Sequence, residues 1–423
     1  MSTLTPVAGR SLATAGRLLG GTGSDLAAHL RVAGSLPLLE PAVLLAELEA
    51  AGLTGRGGAG FPTWRKLAAV GAAPRPVVVA NAAEGEPTSG KDAALLRANP
   101  HLVFDGLQVA AAGVGARRVF VYAPAAAVPR LQALLDGRVR AGRDRWAVEV
   151  VAAPDRFVAG EETAVVRRID GGLALPRGVP PRVFEEGVGG HATLVSNVET
   201  LACAALIARY GGAWFRGVGT AAEPGTVLVT VSGAVARPGV VEVPLGIPVG
   251  EVLDAAGGPV APLAGLLTGG YHGTWLPPEA VAAPLSRAGL AAHGGVLGAG
   301  VLVALPVGTC GLKETARAAS YLAGEGARQC GPCRNGLPAL AAALLRLCRR
   351  GAVAGDLAAV RRYAGLVEGR GACHHPDGSA RFVRSALQTF AAEAELHVAG
   401  RCSGRGTDLL PCPAGPRAAQ DWR

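Results

Sequence analysis

Three of the eight cysteines in this 423-residue chain stand where thiolates do chemistry. Cys330-Gly-Pro-Cys333 separates two sulfurs by two residues, and Cys373 follows forty residues after Cys333. Thiolates at that spacing suit a metal or a cluster. The plainer reading is a turn whose cysteines are simply buried. Cys203 and Cys348 lie in apolar helical settings and read as core.

A second group of residues is suited to holding an anion. The segment GLTGRGGAGFPT at 52–63 packs five glycines around Arg56 and Phe61, and Lys66 follows on a predicted helix. Glycines let backbone amides approach a phosphate, and a helix start adds a favourable dipole. The segment NAAEGEPTSGKD at 81–92 follows an apolar run, the place in an α/β sheet where ligands gather. FVAGEET at 157–163 and SNVET at 196–200 add adjacent acids and amide side chains. Lysine is rare: Lys66, Lys91 and Lys313 are the whole set, and two of them lie in or beside these glycine-rich stretches. An ammonium is a compact point charge suited to phosphate.

The elements that must position these residues are legible in outline. From about 39 to 219, apolar runs at 77–80 and 119–122 alternate with helical stretches such as 93–98, which predicts an α/β domain. Between 224 and 306, short β-branched runs at 226–231, 239–243 and 301–303 sit among Gly and Pro turns, as in a small, separate β-rich domain. From 314 to about 398 the chain is rich in Ala and Leu, with Leu337, Leu340, Leu344 and Leu345 at helical spacing, as in a helical bundle. Residues 401–423 are polar and Gly/Pro-rich, and read as a tail.

Composition sets outer limits. Half the residues are apolar, enough for two to four domains with real cores. The N-terminus lacks a continuous apolar segment, its Arg10 and Arg17 are weak evidence for a transit peptide, and the cysteines form no disulfide framework, so the expected setting is reducing and cytoplasmic. The longest uncharged stretch, 288–312, is broken by glycines, His293 and Pro306 and is a poor membrane helix. The net charge of +9 comes from scattered arginines with few aromatics between them, which argues against nucleic acid and leaves an acidic protein or an anionic membrane surface as partners.

In order and wording, GRGGAGFPT, EGEP with the following KD, GEETA and NVET resemble the flavin-binding domain of the NADH-binding, F-type subunit of respiratory complex I, NADH-quinone oxidoreductase, and of related hydrogenase and formate dehydrogenase diaphorase subunits. The resemblance runs from about residue 52 to residue 390. It implies a Rossmann-like α/β domain binding FMN and NADH at 39–220, after an N-terminal extension at 1–38. A β-grasp domain of SLBB type follows at 221–308, with SGAVARPG at 232–239 as its signature, then a helical iron-sulfur bundle at 309–398 and a tail at 399–423. By the same resemblance Gly55, Arg56, Gly57, Gly58, Lys66, Asn81, Glu84, Gly160, Glu161, Glu162, Asn197 and Thr200 surround FMN. Phe61, Glu86 and Glu162 face the nicotinamide nucleotide, with Glu162 nearest the reacting ring. Cys330, Cys333 and Cys373 ligate a 4Fe-4S cluster, and Cys310 matches a family position that is not a ligand.

The pattern also departs from the family. Ala83 replaces an aspartate, Phe157 a tyrosine and Ser196 an asparagine; polar losses of this kind cost about 1 kcal/mol each. After Pro176-Arg177 the chain reads Gly178, Val179, Pro180, Pro181 and Arg182 where the family has leucine, lysine, two prolines and phenylalanine, and Ala69 replaces an aromatic. Ala327 stands where the first cluster cysteine belongs, which leaves His374, His375, Cys402, Cys412 or solvent as candidates for the fourth ligand, or a three-iron cluster that needs only three cysteines. The expected activity is NADH dehydrogenase-type electron transfer, with NAD as substrate, through FMN to an iron-sulfur centre. A second iron-sulfur or ferredoxin-like subunit is the implied partner, and a peripheral position on the inner face of a membrane is open. Two alternatives stay open: exchange with a ferredoxin or other partner in place of NADH, and a structural subunit with a vestigial cluster site.

Overall fold

The computed structural model describes residues 16–178, 180–404, 408–413 and 422. Arg10 and Val179, singled out in the sequence, lie outside the described residues, as does much of the tail.

The first unit is a four-stranded sheet in the order β3-β2-β1-β4, parallel throughout. Its strands are β1 (Val77–Asn81), β2 (Arg118–Pro124), β3 (Val148–Ala153) and β4 (Thr193–Asn197). The near-continuous apolar run of β1 is what a central parallel strand needs, because helices cover both faces. One face carries α2 (Pro41–Ala51), α3 (Thr63–Gly71), α5 (Pro100–Val114) and α8 (Val198–Phe215) over a core that includes Leu48, Val78, Phe104, Leu107 and Leu201. The other face buries Val79, Phe120 and Tyr122 against Val165 and Val166 of α7 (Glu162–Ile169). Helices α4 (Lys91–Ala98) and α6 (Val128–Arg140) complete the crossovers, and α1 (Leu26–Ala33) packs ahead of them. Helix α5 opens on Pro100, whose missing N–H costs nothing in a first turn, and closes on Gly115 in the left-handed conformation.

Asp105 of α5 ties this layer together. It is buried with Arg138 of α6 at 2.7 Å, Arg209 of α8 at 2.6 Å and His29 of α1 at 2.8 Å. Burial alone would raise its pKa, but these partners hold it well below the ordinary carboxylate range.

The second unit is a mixed five-stranded sheet in the order β6-β5-β9-β7-β8. It comprises β5 (Thr226–Gly233), β6 (Gly239–Pro244), β7 (Leu263–Thr268), β8 (Thr274–Leu276) and β9 (Val301–Pro306), with the short helices α9 (Val249–Ala255) and α10 (Arg287–Ala291). It is less separate than its sequence suggests. Val229, Leu266 and Leu302 face α9, while Leu267, Trp275 and Val303 belong to one core with the helices that follow. Those helices are α11 (Gly311–Glu325), α12 (Leu337–Leu347), α13 (Ala354–Val367), α14 (His375–Thr389) and α15 (Ala391–Val398).

Described residues near both ends are packed against the domains where the sequence reads as extension and tail. Leu18 is fully buried, its amide and that of Leu19 donate to Glu242 of β6, and Arg17 lies 3.9 Å from the Trp214 ring. At the other end Leu410 is buried in the bundle core, the Tyr271 hydroxyl donates to Pro411 O, and Trp422 covers the Arg156 guanidinium at 4.0 Å. Among the described residues no helix is long and apolar enough to cross a membrane.

Candidate functional site

Strands β1 and β4 end side by side, Asn81 in register with Asn197, and the ligand-binding segments leave the sheet at these carboxyl ends. Asn197 caps α8 by accepting from Glu199 N at 3.0 Å, so the N-terminus of this helix, which runs unbroken to the kink at Gly211, faces the same place. The glycine-rich loop lies across that helix start. Arg56 N donates to Thr200 Oγ1 at 2.8 Å, and a Cβ on Gly57 would stand 3.4 Å from the Asn197 Cβ. Gly55 N closes the loop onto Phe61 O at 2.9 Å.

From the second unit, Arg287 donates to Gly55 O and Gly58 O, both at 3.1 Å, and clamps the loop from behind. A side chain at Gly60, whose φ is +66°, would collide with this guanidinium. The Nε atoms of Arg56 and Arg287 are buried with no hydrogen-bond partner among the described residues. Lys66 adds an ammonium 2.8 Å from Val195 O and 3.2 Å from Glu162 Oε2. Arg56 is tied to Pro224 O at 3.4 Å and Arg287 to the loop carbonyls, so the two guanidiniums brace the loop; an ammonium, a helix N-terminus and a glycine loop at the ends of parallel strands fit the phosphate end of a nucleotide such as FMN.

The third segment packs beside the second. Asn81 Nδ2 donates to Gly160 O at 2.9 Å, and Gly85 is so close to the 156–157 backbone that a Cβ would stand 2.6 Å from Phe157 O. Glu162 projects toward Lys66, and Phe61 is 54 % exposed at the outer edge.

Several residues that the sequence assigned to ligands are used by the fold. Glu84 accepts from Ser89 Oγ, Asp92 N and Ala93 N and so caps α4. Glu86 accepts from Thr88 through one oxygen and from Tyr271 N at 2.6 Å through the other. Glu161 caps α7 through Thr163 and Ala164. Burial pushes all three carboxyls up from their ordinary range. Lys91, expected beside a phosphate, is 3 % exposed between Asp92 at 2.7 Å and Glu199 at 2.8 Å. A carboxylate whose oxygens already accept two or three bonds has little capacity left for a ligand. Sequence reasoning could not see this, because the partners come from turns and from the second unit.

The cysteine loop adjoins the third segment. Glu325, at the end of α11, accepts from Phe157 N at 2.8 Å and pairs with Arg156 at 3.3 Å, while Gln329 Nε2 donates to Pro176 O at 2.5 Å. Cys330 precedes a π-helical turn at Pro332–Gly336, a distortion that often marks functional sites, and Cys333 is buried with Arg328 N 3.2 Å from its sulfur. Cys373 comes from the loop ahead of α14. Burial raises the Cys333 thiol and pushes Cys373 up to about 11, with Glu161, Cys333 and Cys330 adding to the second shift. Cys330 and Cys333 thus share one turn, with Cys373 on the loop ahead of α14, near enough for their charges and that of Glu161 to weigh on its thiol. A bound metal centre would reverse the shifts, since its charge favours thiolate.

The candidates for a fourth ligand separate cleanly. His375 is buried with Nε2 donating to Leu322 O at 2.9 Å and Nδ1 3.0 Å from His272 Nε2, so both nitrogens are committed. This histidine pair, packed on Phe157 with centroids 4.7 and 5.6 Å away, is a feature the sequence did not reveal. Cys412 lies against Tyr271, and Cys402 against Cys310. His374 is exposed and remains, with solvent.

Comparison with known proteins agrees with this layout. Residues 48–205 match the Nuo51 FMN-binding domain family, 228–266 the SLBB domain, and 313–397 the NADH-ubiquinone oxidoreductase-F iron-sulfur binding region. The F-type subunit of NADH-quinone oxidoreductase in Streptomyces coelicolor is 32 % identical over 405 residues, 91 % of this chain and 87 % of that protein. The second F-type subunit of NADH-quinone oxidoreductase in Rhizobium meliloti is 32 % identical over 366 residues, 82 % of this chain and 87 % of that protein. A component of the NADP-reducing hydrogenase of Solidesulfovibrio fructosivorans is 30 % identical over 394 residues, 89 % of this chain and 78 % of that one. In a solved NAD+-reducing nickel-iron hydrogenase, a chain 31 % identical superposes with a TM-score of 0.79 over 88 % of this chain, which spans 64 % of that chain's length. With a shared fold and such identity over most of its length, the chain belongs to the family of F-type subunits of NADH-quinone oxidoreductase.

Proposed function

We propose that the chain is an NADH dehydrogenase-type flavoprotein, working within a larger redox assembly of the complex I or NAD-reducing hydrogenase kind. FMN, when bound, supplies the exchange between a two-electron hydride donor and the single-electron traffic of an iron-sulfur centre. In this reading residues 39–220 carry flavin and nucleotide, 221–308 form the β-grasp clamp and 309–398 carry the cluster. Gly55, Gly57, Gly58, Arg56, Lys66, Asn197 and Thr200 hold the phosphate end, with Asn81 and Gly160 beside the ring. Phe61 and Glu162 face the nicotinamide. Glu84, Glu86 and Glu161 act by holding the walls in place, and Cys330, Cys333 and Cys373 ligate the cluster.

The observation that carries the reading is the direct bonding of the flavin wall to the cysteine loop, Phe157 N to Glu325 Oε2 at 2.8 Å with Arg156 alongside. It makes the two redox positions neighbours on one rigid connection. The protein's work is positioning: Lys66 holds the Glu162 carboxylate, and Arg287 holds the loop that carries Phe61. No side chain has to give or take a proton for hydride transfer.

A second reading, in which a ferredoxin-like protein replaces NADH as donor, draws on the nucleotide face. Arg177 there is committed to Glu186 O and Pro181 O, and both Glu86 oxygens are engaged. The net charge of +9 suits docking of an acidic redox protein in either case. We place the assembly on the cytoplasmic side, with any membrane contact made through partner subunits. The test is a visible spectrum of anaerobically purified, iron-sulfur-reconstituted protein before and after NADH. Flavin bands that bleach, with a brown shoulder lost in Cys333→Ala, support the proposal. Flavin that stays oxidised with NADH but bleaches with reduced ferredoxin transfers the assignment to the second reading, and a colourless protein overturns both.

A further inference from the structure

Cys310, Glu393, His397 and Cys402 form a second cluster of ligating side chains, sharing no residue with the flavin segments or the Cys330–Cys333 loop. One ligand atom from each lies within 4.8 Å of all the others. Cys310 caps the start of α11, Glu393 and His397 are four residues apart on one side of α15, and Cys402 follows that helix. Cys310 is buried, the His397 side chain is 2 % exposed and that of Glu393 is 10 % exposed.

The tautomer of His397 decides what this cluster can do. Its Nδ1 stands 3.1 Å from Leu347 O, and a carbonyl only accepts, so Nδ1 carries the proton. Nε2 faces Cys310 Sγ at 3.5 Å and Glu393 Oε1 at 3.1 Å. A ring nitrogen and a carboxylate oxygen at that distance need a positive charge between them, either a proton or a metal ion. A proton serves one pair of atoms; a metal ion serves all four at once. The carboxylate is itself oriented, since Ser403 donates to Glu393 through its amide and its hydroxyl. A histidine whose remote nitrogen is anchored to a carbonyl, beside a carboxylate held by outer hydrogen bonds, is the arrangement that prepares a metal site.

We propose that Cys310, His397, Cys402 and Glu393 bind a single divalent zinc ion in a closed, tetrahedral structural site. Zinc takes sulfur at about 2.3 Å and nitrogen or carboxylate oxygen at about 2.0–2.2 Å, which puts neighbouring ligand atoms roughly 3–4 Å apart. The atoms here are already gathered on that scale. Two thiolates and a carboxylate around a divalent ion leave one negative charge, and the Lys313 ammonium beside Cys402 balances it. The cluster shares no residue with Cys330, Cys333 and Cys373; the iron-sulfur family match at 313–397 takes in Glu393 and His397 and leaves Cys310 and Cys402 outside.

The ion would staple the C-terminal strap to the junction between the β-grasp sheet and the bundle. Gly404 already presses against the 308–310 turn, where a Cβ would stand 2.6 Å from Cys310 N. Beyond it, the strap carries Leu410 into the bundle core and Pro411 to the Tyr271 hydroxyl.

The experiment is elemental analysis of zinc and iron in the full-length protein, purified anaerobically, supplied with zinc sulfate and desalted, alongside Cys402→Ser and Cys333→Ala. Cys402 is exposed beyond the last helix, so its serine variant keeps the fold. The expected result is about one zinc per chain, as a closed structural site binds, lost in Cys402→Ser with iron unchanged and kept in Cys333→Ala with iron reduced. Cobalt in place of zinc should give tetrahedral d–d bands and a thiolate charge-transfer band, absent in Cys402→Ser. Zinc that washes out of the parent protein, zinc retained by Cys402→Ser, or iron lost there in its place would overturn the proposal.

Discussion

Replacing Asp105 with asparagine removes one negative charge from the centre of the α/β layer. Three cationic or protonatable groups converge on it from three helices: His29, Arg138 and Arg209. They are not equally dependent on it. Arg138 keeps Asp144, which it meets through both Nε and NH2 at 2.7–3.0 Å. Arg209 keeps only Ala33 O at 3.0 Å, and its NH1 already has no partner among the described residues. The substitution therefore strands one buried guanidinium, and breaking a buried pair in this way costs about 3–5 kcal/mol. The sign of the pH dependence follows from the depressed pKa of Asp105. Its stabilisation is complete above the unfolded aspartate pKa of about 4 and is lost as pH falls toward the folded value, because the unfolded chain then binds the proton first. The difference between parent and Asp105→Asn should thus be full at pH 7 and shrink below about pH 4. Amide hydrogen exchange along α5, α6 and α8 reads this layer apart from the other units. A destabilisation below about 1 kcal/mol at pH 7 would refute the reasoning, since an exposed pair is worth no more than that.

Two further outcomes address the redox sites. Lys66→Met removes the ammonium beside Val195 O and Glu162 and should weaken FMN binding roughly ten- to hundredfold, the range for one charged hydrogen bond; an unchanged dissociation constant by fluorescence titration would exclude Lys66 from the phosphate end. Ala327→Cys restores a thiol to a part-buried position on the Cys330–Cys333 loop. It should give about four irons per chain on reconstitution with the electron paramagnetic resonance signal of a reduced 4Fe-4S cluster, and a variant that takes up no iron would show that the loop does not hold a cluster at this position.

Local patterns determined the succession of units. Apolar runs of three or four residues between turn signals specified β1, β2 and β9, Leu at helical spacing specified α12, and glycines in a fixed order specified the ligand loop, because these depend on neighbours a few residues away. The identity of the flavin segments was legible for the same reason, since each is a short contiguous stretch. Which side chains those segments spend on the fold was decided only in three dimensions. Glu86 reaches Tyr271 and Glu325 reaches Phe157 across more than 160 residues, and neither acid differs in sequence from one that meets a ligand. The docked ends, the shared core of sheet and bundle, the histidine pair and the cluster around Cys310 and His397 have the same origin. Each joins groups far apart in the chain, 87 residues in the last case, where periodicity carries no signal and packing alone chooses the partner.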